Sequence, residues 1–236
     1  MVMDGMSDRT TILIGEEGVK ALKDAFVILA GVGAVGGYAL EGLVRSGVGH
    51  IRVIDGDVFS ESNLNRQILA TSDSIGRRKV DVALERMRSI NPDIEAEGVF
   101  SLISEDILDD VLSGGPDVIV DAIDTVEHKA ALLRYASVHG MRVFSSMGAA
   151  LRMDTQSIRI APLKRTKVCP LASAVRSRLR DVDTSNITAV YSEEVPPVVP
   201  DRRDDHGKSV LGSLPTIPAI FGMTLANEAI RYIIEK

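Results

Sequence analysis

The chain has 236 residues, of which 45% are hydrophobic and 25% charged, and these values fit a globular protein that can bury a substantial core. No apolar run approaches the roughly 20 residues that a membrane-spanning helix needs, and the acidic first ten residues lack the apolar region of a secretory signal. We therefore expect a cytoplasmic protein with no membrane partner. The single cysteine, Cys169, excludes an intrachain disulfide and a zinc site built from several cysteines of the chain.

Charge is distributed unevenly along the sequence. The formal net charge is −6, yet the segment from Leu151 to Arg180 contains eight basic side chains and one acidic side chain, Asp154. The basic residues are Arg152, Arg159, Lys164, Arg165, Lys167, Arg176, Arg178 and Arg180. An acidic protein with one basic segment is typical of a localised contact with a polyanion.

The strongest local pattern runs from Phe26 to Asp57. Before it, we expect residues 1–10 to be a mobile lead-in and Glu16–Ala25 to be a short helix. An apolar run then enters the turn Gly31-Val32-Gly33-Ala34-Val35-Gly36, a helical pattern follows, and a second apolar run ends at Ile54. This order predicts strand, turn, helix and strand, the unit that opens a nucleotide-binding doubly wound sheet.

Each glycine of this turn has a physical task. Gly31 permits the tight turn, Gly33 lets backbone N–H groups approach a phosphate, and Gly36 allows the helix to pack closely on the strand. The start of the helix offers unpaired N–H groups to an anion. Asp55, directly after the second strand, is placed to accept hydrogen bonds from ribose hydroxyls.

The rest of the first 150 residues alternates between helical and strand patterns. The predicted elements are a helix at 77–90, a strand at 94–100, a helix at 105–112, a strand at 117–124, a helix at 127–139 and a strand at 142–145. Such alternation predicts a mostly parallel sheet.

The pattern changes after Gly148. The predicted elements there are a strand at 156–160, a helix at 170–180, a short strand at 187–191, a proline-rich mobile loop at about 195–212 and an apolar helix at 217–234. The sequence therefore predicts an α/β fold, a Rossmann-like, doubly wound, mostly parallel sheet with a smaller antiparallel C-terminal extension.

Polar side chains cluster where the predicted strands end. They are Asp57, Asn63, Asn65, Arg66 and Gln67 after the second strand, Lys79 on the next helix, and Asp124 at the end of the 117–124 strand. Ligands of open α/β sheets bind outside the carboxyl ends of the strands. An arginine fork and a lysine charge match phosphates, and a carboxylate oxygen suits Mg²⁺. These residues predict a Mg-ATP site.

Five motifs carry a family resemblance. GVGAVG, IDGD, SNLNRQ, GRRKV and DAID, in this order, resemble the adenylyltransferase fold of the ubiquitin-activating and ThiF/MoeB/HesA superfamily, over nearly the whole chain from Arg9 to Ile234. The resemblance implies one adenylation domain over 1–236, with a nucleotide-binding half at 1–150 and a substrate-side half at 151–236. The implied reaction is attack of a substrate carboxylate on the α-phosphate of ATP, which gives an acyl-adenylate and pyrophosphate.

The same resemblance implies roles for individual residues. Asp55 would bind ribose, while Asn63, Arg66 and Lys79 would bind the triphosphate. Asp124 would hold Mg²⁺ and contact the region of the α-phosphate. A homodimer is also implied, in which Arg9 reaches into the ATP site of the partner subunit and joins Arg66, Lys79 and Asp124 in catalysis.

The second half of the sequence indicates a subfamily. The stretch from Lys167 to Ala172, the basic helix after it and the stretch from Val190 to Glu194 resemble the tRNA threonylcarbamoyladenosine dehydratases. That resemblance implies ATP-dependent activation of the threonyl carboxylate, ring closure with loss of water and AMP, and contact of the Arg152–Arg180 segment with tRNA. Relatives that serve sulfur carriers typically hold zinc with two Cys-x-x-Cys pairs, and a single cysteine does not supply them.

Three other functions remain open at this stage. Adenylation of the C-terminus of a ubiquitin-like or sulfur-carrier protein is one alternative. An NAD-dependent oxidoreductase is disfavoured by Arg66 and Lys79, and a non-catalytic nucleotide-binding partner would be suggested by loss of Asp124, which is present. The role of Cys169 is also open between a nucleophile or persulfide carrier served by a sulfur-transfer partner and a structural thiol.

Overall fold

A computed structural model describes residues 5–198, 201–203 and 210–236. Its strands are Phe26–Ala30 (β1), His50–Ile54 (β2), Glu95–Val99 (β3), Val118–Asp121 (β4), Val143–Ser146 (β5), Ile158–Pro162 (β6) and Ile187–Ser192 (β7). They form one seven-stranded sheet in the order β3-β2-β1-β4-β5-β7-β6. All neighbouring strands are parallel except β6 and β7, which are antiparallel. The predicted α/β class with a doubly wound, mostly parallel sheet is confirmed.

Helices cover both faces of this sheet. They are Asp8–Asp24 (α1), Gly36–Arg45 (α2), Lys79–Ile90 (α3), Leu108–Val111 (α4), Val126–Val138 (α5), Pro170–Arg178 (α6) and Thr216–Glu235 (α7). Successive side chains of β1 point to opposite faces: Val27 and Leu29 join a core with α2, α3 and α7, whereas Ile28 joins a core with α5 and α6. Burial on both faces explains why the central strands are continuously apolar.

The C-terminal helix packs directly against the start of α2. A Cβ atom at Gly222 of α7 would lie 2.3 Å from the carbonyl oxygen of Val35, so only glycine permits this approach. The glycine turn between β1 and α2 is therefore supported by the last helix of the chain.

One expectation about the N-terminal end requires correction. Helix α1 is broken at Gly15, where φ is 74°, and its second part matches the helix predicted from Glu16, but an additional first part begins at Asp8, within the predicted lead-in of residues 1–10. The spacing of apolar residues did not reveal this first part because Ile12 and Leu13 are 74% and 85% exposed. The start of the predicted lead-in, residues 1–4, lies outside the described residues.

The C-terminal extension is continuous with the main sheet. Strand β7 inserts parallel to β5, and β6 then pairs with β7 as the antiparallel edge. Residues 199–200 and 204–209 of the predicted loop lie outside the described residues. Within the described ranges, no helix has both the length and the apolar character to cross a bilayer.

Candidate functional site

The glycine turn lies where the strand order reverses. Strand β1 has β2 on one side and β4 on the other, which creates a crevice beyond their carboxyl ends. The Gly31 amide donates to the Ile54 carbonyl at 2.8 Å, and a Cβ at Gly31 would lie 3.0 Å from the Ala122 oxygen. A Cβ at Gly36 would lie only 1.9 Å from the Gly31 oxygen. At Gly31 and Gly36, therefore, the close approach of neighbouring backbone leaves no room for a larger side chain.

Gly33 has a different environment. A Cβ there would find the Gln67 Nε2 atom at 3.8 Å as its nearest neighbour, so the protein itself leaves room at this position. Gln67 is 7% exposed, and its Oε1 atom is buried without a hydrogen-bond partner in the structure. A buried polar atom without a partner is uncommon in folded proteins and is typical of a site that a ligand or water completes.

Asp55 ties the glycine turn to the end of β2. Its carboxylate accepts the amide protons of Val32 at 2.8 Å and Asp57 at 2.9 Å. Burial raises the pKa of the Asp55 carboxyl above its ordinary value, while the charge of Lys79 and the two amides oppose that shift. One of its oxygens contacts the glycine turn through Val32, at the position expected for a ribose-binding carboxylate.

Lys79 is held beside this carboxylate. Its ammonium lies 2.8 Å from the Asp57 carboxylate, and its own amide donates to the Asp57 carbonyl at 3.0 Å. The lysine side chain is buried, whereas that of Asp57 is 61% exposed. Lys79 is therefore a cation in a fixed position, and its acidic partner Asp57 faces solvent.

The stretch from Ser60 to Gln67 forms a compact turn. The Asn63 side chain accepts the Ser60 amide at 3.1 Å. Arg66 donates to the Ser62 carbonyl at 2.8 Å and to the Asn65 side chain at 2.9 Å. Among the described residues Arg66 has no acidic partner, so its charge is available to an anion.

Asp124 lies three residues beyond the end of β4, close in sequence to the Ala122 that contacts Gly31. Its carboxylate is exposed, and it accepts a hydrogen bond only from the Thr125 hydroxyl at 3.2 Å. In the described part of the chain no cation neutralises it. An exposed carboxylate at the strand reversal fits a Mg²⁺ ligand.

A fully buried ion pair lies beneath Asp124, and sequence reasoning missed it. Asp121 and Lys129 are both 0% exposed and form a short salt bridge. The Ser145 hydroxyl donates to the same Asp121 carboxylate at 2.6 Å, and the Ile123 amide donates to its other oxygen at 3.0 Å. The sequence did contain one sign of this pair: Asp121 is the last residue of an apolar strand, and Lys129 lies eight residues later near the start of the next helix. This network fixes the loop that carries Asp124.

Arg9 lies apart from the glycine turn, in the first turn of α1. Its side chain is exposed and makes no hydrogen bond or ion pair within the described ranges. Around it, Met6, Ile12 and Leu13 are 48%, 74% and 85% exposed. A single copy of the chain does not bring Arg9 to the glycine turn through any direct contact.

The basic segment does not form one uniform surface. Lys164, Arg159 and Arg178 pair with acidic residues elsewhere in the chain. Arg176 is half-buried and donates to the Thr166 carbonyl at 3.0 Å, and Arg152 is buried. The cations of the segment that lack an ion pair in the described residues and reach solvent are Arg165, Lys167 and Arg180.

A cleft of about 870 Å³ lies next to this segment, between α5 and α6, rather than at the glycine turn. Arg178 and Arg180 line it together with Arg134. Arg134 contacts Asp181 through two nitrogens at 2.8 Å and, chiefly through these hydrogen bonds, lowers the pKa of that carboxyl to about 2. Glu105, Glu127 and Asp181 also line the cleft, and two of them pair with Arg178 and Arg134, so its charges are largely balanced.

Cys169 is a buried thiol. It is 2% exposed, and its sulfur accepts the Gly148 amide at 3.3 Å. Reactive cysteines are at least partly exposed, so this environment favours the structural interpretation.

His50, at the opposite end of the sheet, contacts Glu97 at 2.6 Å and stacks on Phe26.

The comparisons with known proteins agree with this geometry. The ThiF family model matches residues 7–236. The chain is 35% identical over 203 residues to a tRNA threonylcarbamoyladenosine dehydratase of Bacillus subtilis, covering 86% of this chain and 79% of the relative. It is 34% identical to the Haemophilus influenzae protein of that name, covering 91% and 88% of the two chains. The structure of the Escherichia coli dehydratase TcdA in complex with ATP is similar, with a TM-score of 0.88, 30% identity and 98% coverage of both chains. The chain belongs to the ThiF family.

Proposed function

We propose that this protein is an ATP-dependent tRNA threonylcarbamoyladenosine dehydratase. It adenylates the threonyl carboxylate of the modified nucleoside, and ring closure then expels AMP. The observation that carries the proposal is the similarity to the ATP complex of TcdA over 98% of both chains.

The nucleotide site supports ATP as the energy source. Three features of the site leave capacity for a nucleotide: the open position at Gly33, the unpaired Gln67 oxygen, which can accept from a nucleotide hydroxyl or amino group, and the Arg66 guanidinium, which has no acidic partner among the described residues. Phosphate oxygens accept hydrogen bonds from amides and guanidinium groups. Asp55 would accept from the ribose hydroxyls, and Asn63 and Asn65 would complete the polar wall.

The reaction follows from positioning and charge. A carboxylate oxygen of the substrate forms a bond to the α-phosphorus, and the bond to pyrophosphate breaks. Arg66 and Lys79 neutralise charge on the leaving pyrophosphate. A nucleophilic atom of the carbamoyl group then attacks the activated carbonyl, and the bond to AMP breaks. One carboxylate oxygen leaves on AMP, and the carbamoyl nucleophile loses a proton. Together with the proton already lost when the carboxyl group ionised, this equals the loss of water.

Asp124 is the residue that would hold Mg²⁺. When bound, Mg²⁺ supplies charge neutralisation for the phosphates. Asp124 contributes an exposed oxygen on a loop that the Asp121–Lys129 pair holds in place. Unlike Asp121, it has no cation of its own in the described part of the chain.

The tRNA contact is proposed for the Arg152–Arg180 segment. The exposed cations Arg165, Lys167 and Arg180 support this assignment. Salt bridges to acidic residues already occupy Arg159, Lys164 and Arg178. We therefore assign the tRNA contact to Arg165, Lys167 and Arg180 rather than to the whole segment.

A homodimer is proposed from the start of α1. Exposed apolar side chains surround Arg9, and such a patch is unfavourable in water unless another surface covers it. A second copy that covers Met6, Ile12 and Leu13 would carry Arg9 toward the neighbouring ATP site. We further propose that residues 1–236 act as one adenylation domain in the cytoplasm, with the nucleotide-binding half at 1–150.

The experiment is AMP release from Mg-ATP, with and without tRNA that carries threonylcarbamoyladenosine, followed by mass spectrometry of the nucleoside. We expect AMP formation together with a nucleoside about 18 Da lighter, as loss of water requires. Both signals should vanish in Asp124→Ala.

Two outcomes would redirect the proposal. If ATP binds but the nucleoside keeps its mass, the substrate assignment is wrong, and the C-terminus of a ubiquitin-like or sulfur-carrier protein becomes the substrate to test. If NADH binds more tightly than ATP, the adenylation assignment itself fails.

A further inference from the structure

Arg152 is a buried cation with almost no partners. Its side chain follows the end of β5, and the residue is 4% exposed. The guanidinium donates only to the Leu151 carbonyl at 3.1 Å, and its Nε atom is buried without a partner. Among the described residues no carboxylate pairs with it. Burial of a guanidinium without an anion is strongly unfavourable.

Arg142 is another shielded arginine whose Nε atom has no partner among the described residues, but its two terminal nitrogens both donate hydrogen bonds. Arg142 donates to the Asn186 carbonyl at 3.2 Å and to the Thr188 hydroxyl at 2.8 Å. Its guanidinium also stacks on the Phe144 ring, 4.6 Å from the centroid. Arg152 lacks such a set of contacts, and the described residues leave its Nε atom without a partner and its charge without an anion.

The backbone before Arg152 is held in an unfavourable conformation. Leu151 has a φ of 59°, in the left-handed region that bulky side chains avoid. Its amide donates to the Gly212 carbonyl at 2.9 Å, which fixes this loop. Strained residues persist where the surrounding structure holds them, and they cluster at ligand sites.

The same segment connects Arg152 to the nucleotide site. Ser213, next to Gly212, accepts a hydrogen bond from the Asn65 side chain at 3.0 Å. Asn65 belongs to the turn that presents Arg66. Arg152 also follows the carboxyl end of β5, which lies on the edge of the sheet that carries the glycine turn.

We propose that Arg152 binds an oxyanion of the substrate, on the substrate side of the ATP site. This inference rests on the proposed function, because that function supplies two such anions: the carboxylate to be activated and the phosphates of the RNA. A guanidinium fork matches either group with two parallel hydrogen bonds. The bound oxyanion accepts the hydrogen bonds that Arg152 does not make within the described chain and neutralises its charge.

The test compares Arg152→Gln and Arg152→Lys with wild-type protein. The affinity of each is measured for two tRNAs that differ only in the threonylcarbamoyl group. Arg231→Gln is the matched control, since Arg231 lies on the exposed face of α7, pairs with Glu235 and loses the same charge. Thermal unfolding without ligand is recorded for all four proteins. We expect Arg152→Gln to unfold no earlier than wild type, because an unpaired buried charge has been removed.

The two sources of the anion give different results. If Arg152 binds the carboxylate, Arg152→Gln weakens binding of the modified tRNA by about ten-fold or more and leaves the unmodified tRNA unchanged. If it binds a phosphate, both tRNAs weaken equally. Arg152→Lys retains part of the affinity in either case, since it keeps the charge without the fork.

The inference is overturned if Arg152→Gln binds both tRNAs as tightly as Arg231→Gln does, or if it unfolds well below wild type with unchanged tRNA affinity. Failure of the proposed function is a separate result, in which wild-type protein binds tRNA but releases no AMP with the modified form. The affinity comparison still decides the role of Arg152 in that case.

Discussion

The buried pair of Asp121 and Lys129 allows the sharpest test of the structural reasoning. In Lys129→Met the Asp121 carboxylate keeps the Ser145 hydroxyl and the Ile123 amide but loses its only cation. Both charges are 0% exposed, so water does not replace the lost partner. Removal of one member of a buried pair typically costs about 3–5 kcal/mol. For a chain of this length that corresponds to a fall in the unfolding midpoint of roughly 6–20 °C.

The assay is urea and thermal unfolding of four variants: the single changes Lys129→Met and Asp121→Asn, the two combined, and a control. Lys20→Met is the matched control, since Lys20 pairs with Asp24 on the surface at side-chain exposures of 78% and 60%. We expect this change to cost far less than Lys129→Met, because solvent screens an exposed pair and replaces its partner. In the double variant Asp121→Asn with Lys129→Met the amide can still bond Ser145 and Ile123 without a buried charge. The double variant should therefore be more stable than Lys129→Met alone.

Either of two results would refute this reasoning. One is a Lys129→Met variant no less stable than Lys20→Met. The other is a double variant that loses the sum of the two single losses, which would mean that the buried charge of Asp121 carries no penalty.

The remaining predictions concern the nucleotide site and the dimer. Gly36→Ala should unfold the protein or strongly lower its thermal unfolding midpoint, because the added Cβ would lie 1.9 Å from a backbone oxygen. Gly33→Ala should leave this midpoint unchanged but weaken ATP binding, which calorimetry measures. Equal effects of the two changes on stability would contradict the assignment of Gly33 to the ligand. Asp124→Asn should retain ATP binding in the absence of Mg²⁺ but lose the gain in affinity that Mg²⁺ provides, and an unchanged Mg²⁺ dependence would exclude it as the ligand. Arg9→Ala and Arg66→Ala should each be inactive. When equal amounts are mixed and exchange subunits, about half of the dimers contain both variants, and one of the two sites in each such dimer is intact, so about a quarter of the wild-type AMP release should return. No recovery on mixing would mean that Arg9 does not act across subunits.

Local spacing was sufficient to predict the opening of the fold. The glycine turn, the strand before it and Asp55 after the next strand are separated by fixed numbers of residues within one continuous unit. Their geometry follows from chain connectivity and from the rule that ligands bind beyond the carboxyl ends of parallel strands. The structure accordingly brings Asp55 onto the amides of the turn.

Other features depend on contacts between distant residues and were not predictable in this way. The predicted smaller antiparallel C-terminal extension is confirmed by the β6–β7 pair. Its place beside β5 was not predictable, because β7 pairs with β5 across 44 positions, as Val143 with Ile187. The first part of α1 was missed because its apolar side chains face outward, and periodicity reports burial rather than helix formation. Asp121 and Lys129 looked like ordinary polar residues until burial brought them together.

The amino-acid sequence by itself determined the fold class, the nucleotide turn and the residue types around it, since these depend on short-range spacing and on the chemistry of glycine, carboxylate and guanidinium groups. The tertiary structure alone decided how each charge is compensated. Eight basic residues looked equivalent in the sequence, yet folding pairs Arg159 with Glu193, exposes Arg180 and buries Arg152 without an anion. The physical reason is that the free energy of a charge depends on its solvent exposure and its partners, and both are properties of the assembled fold.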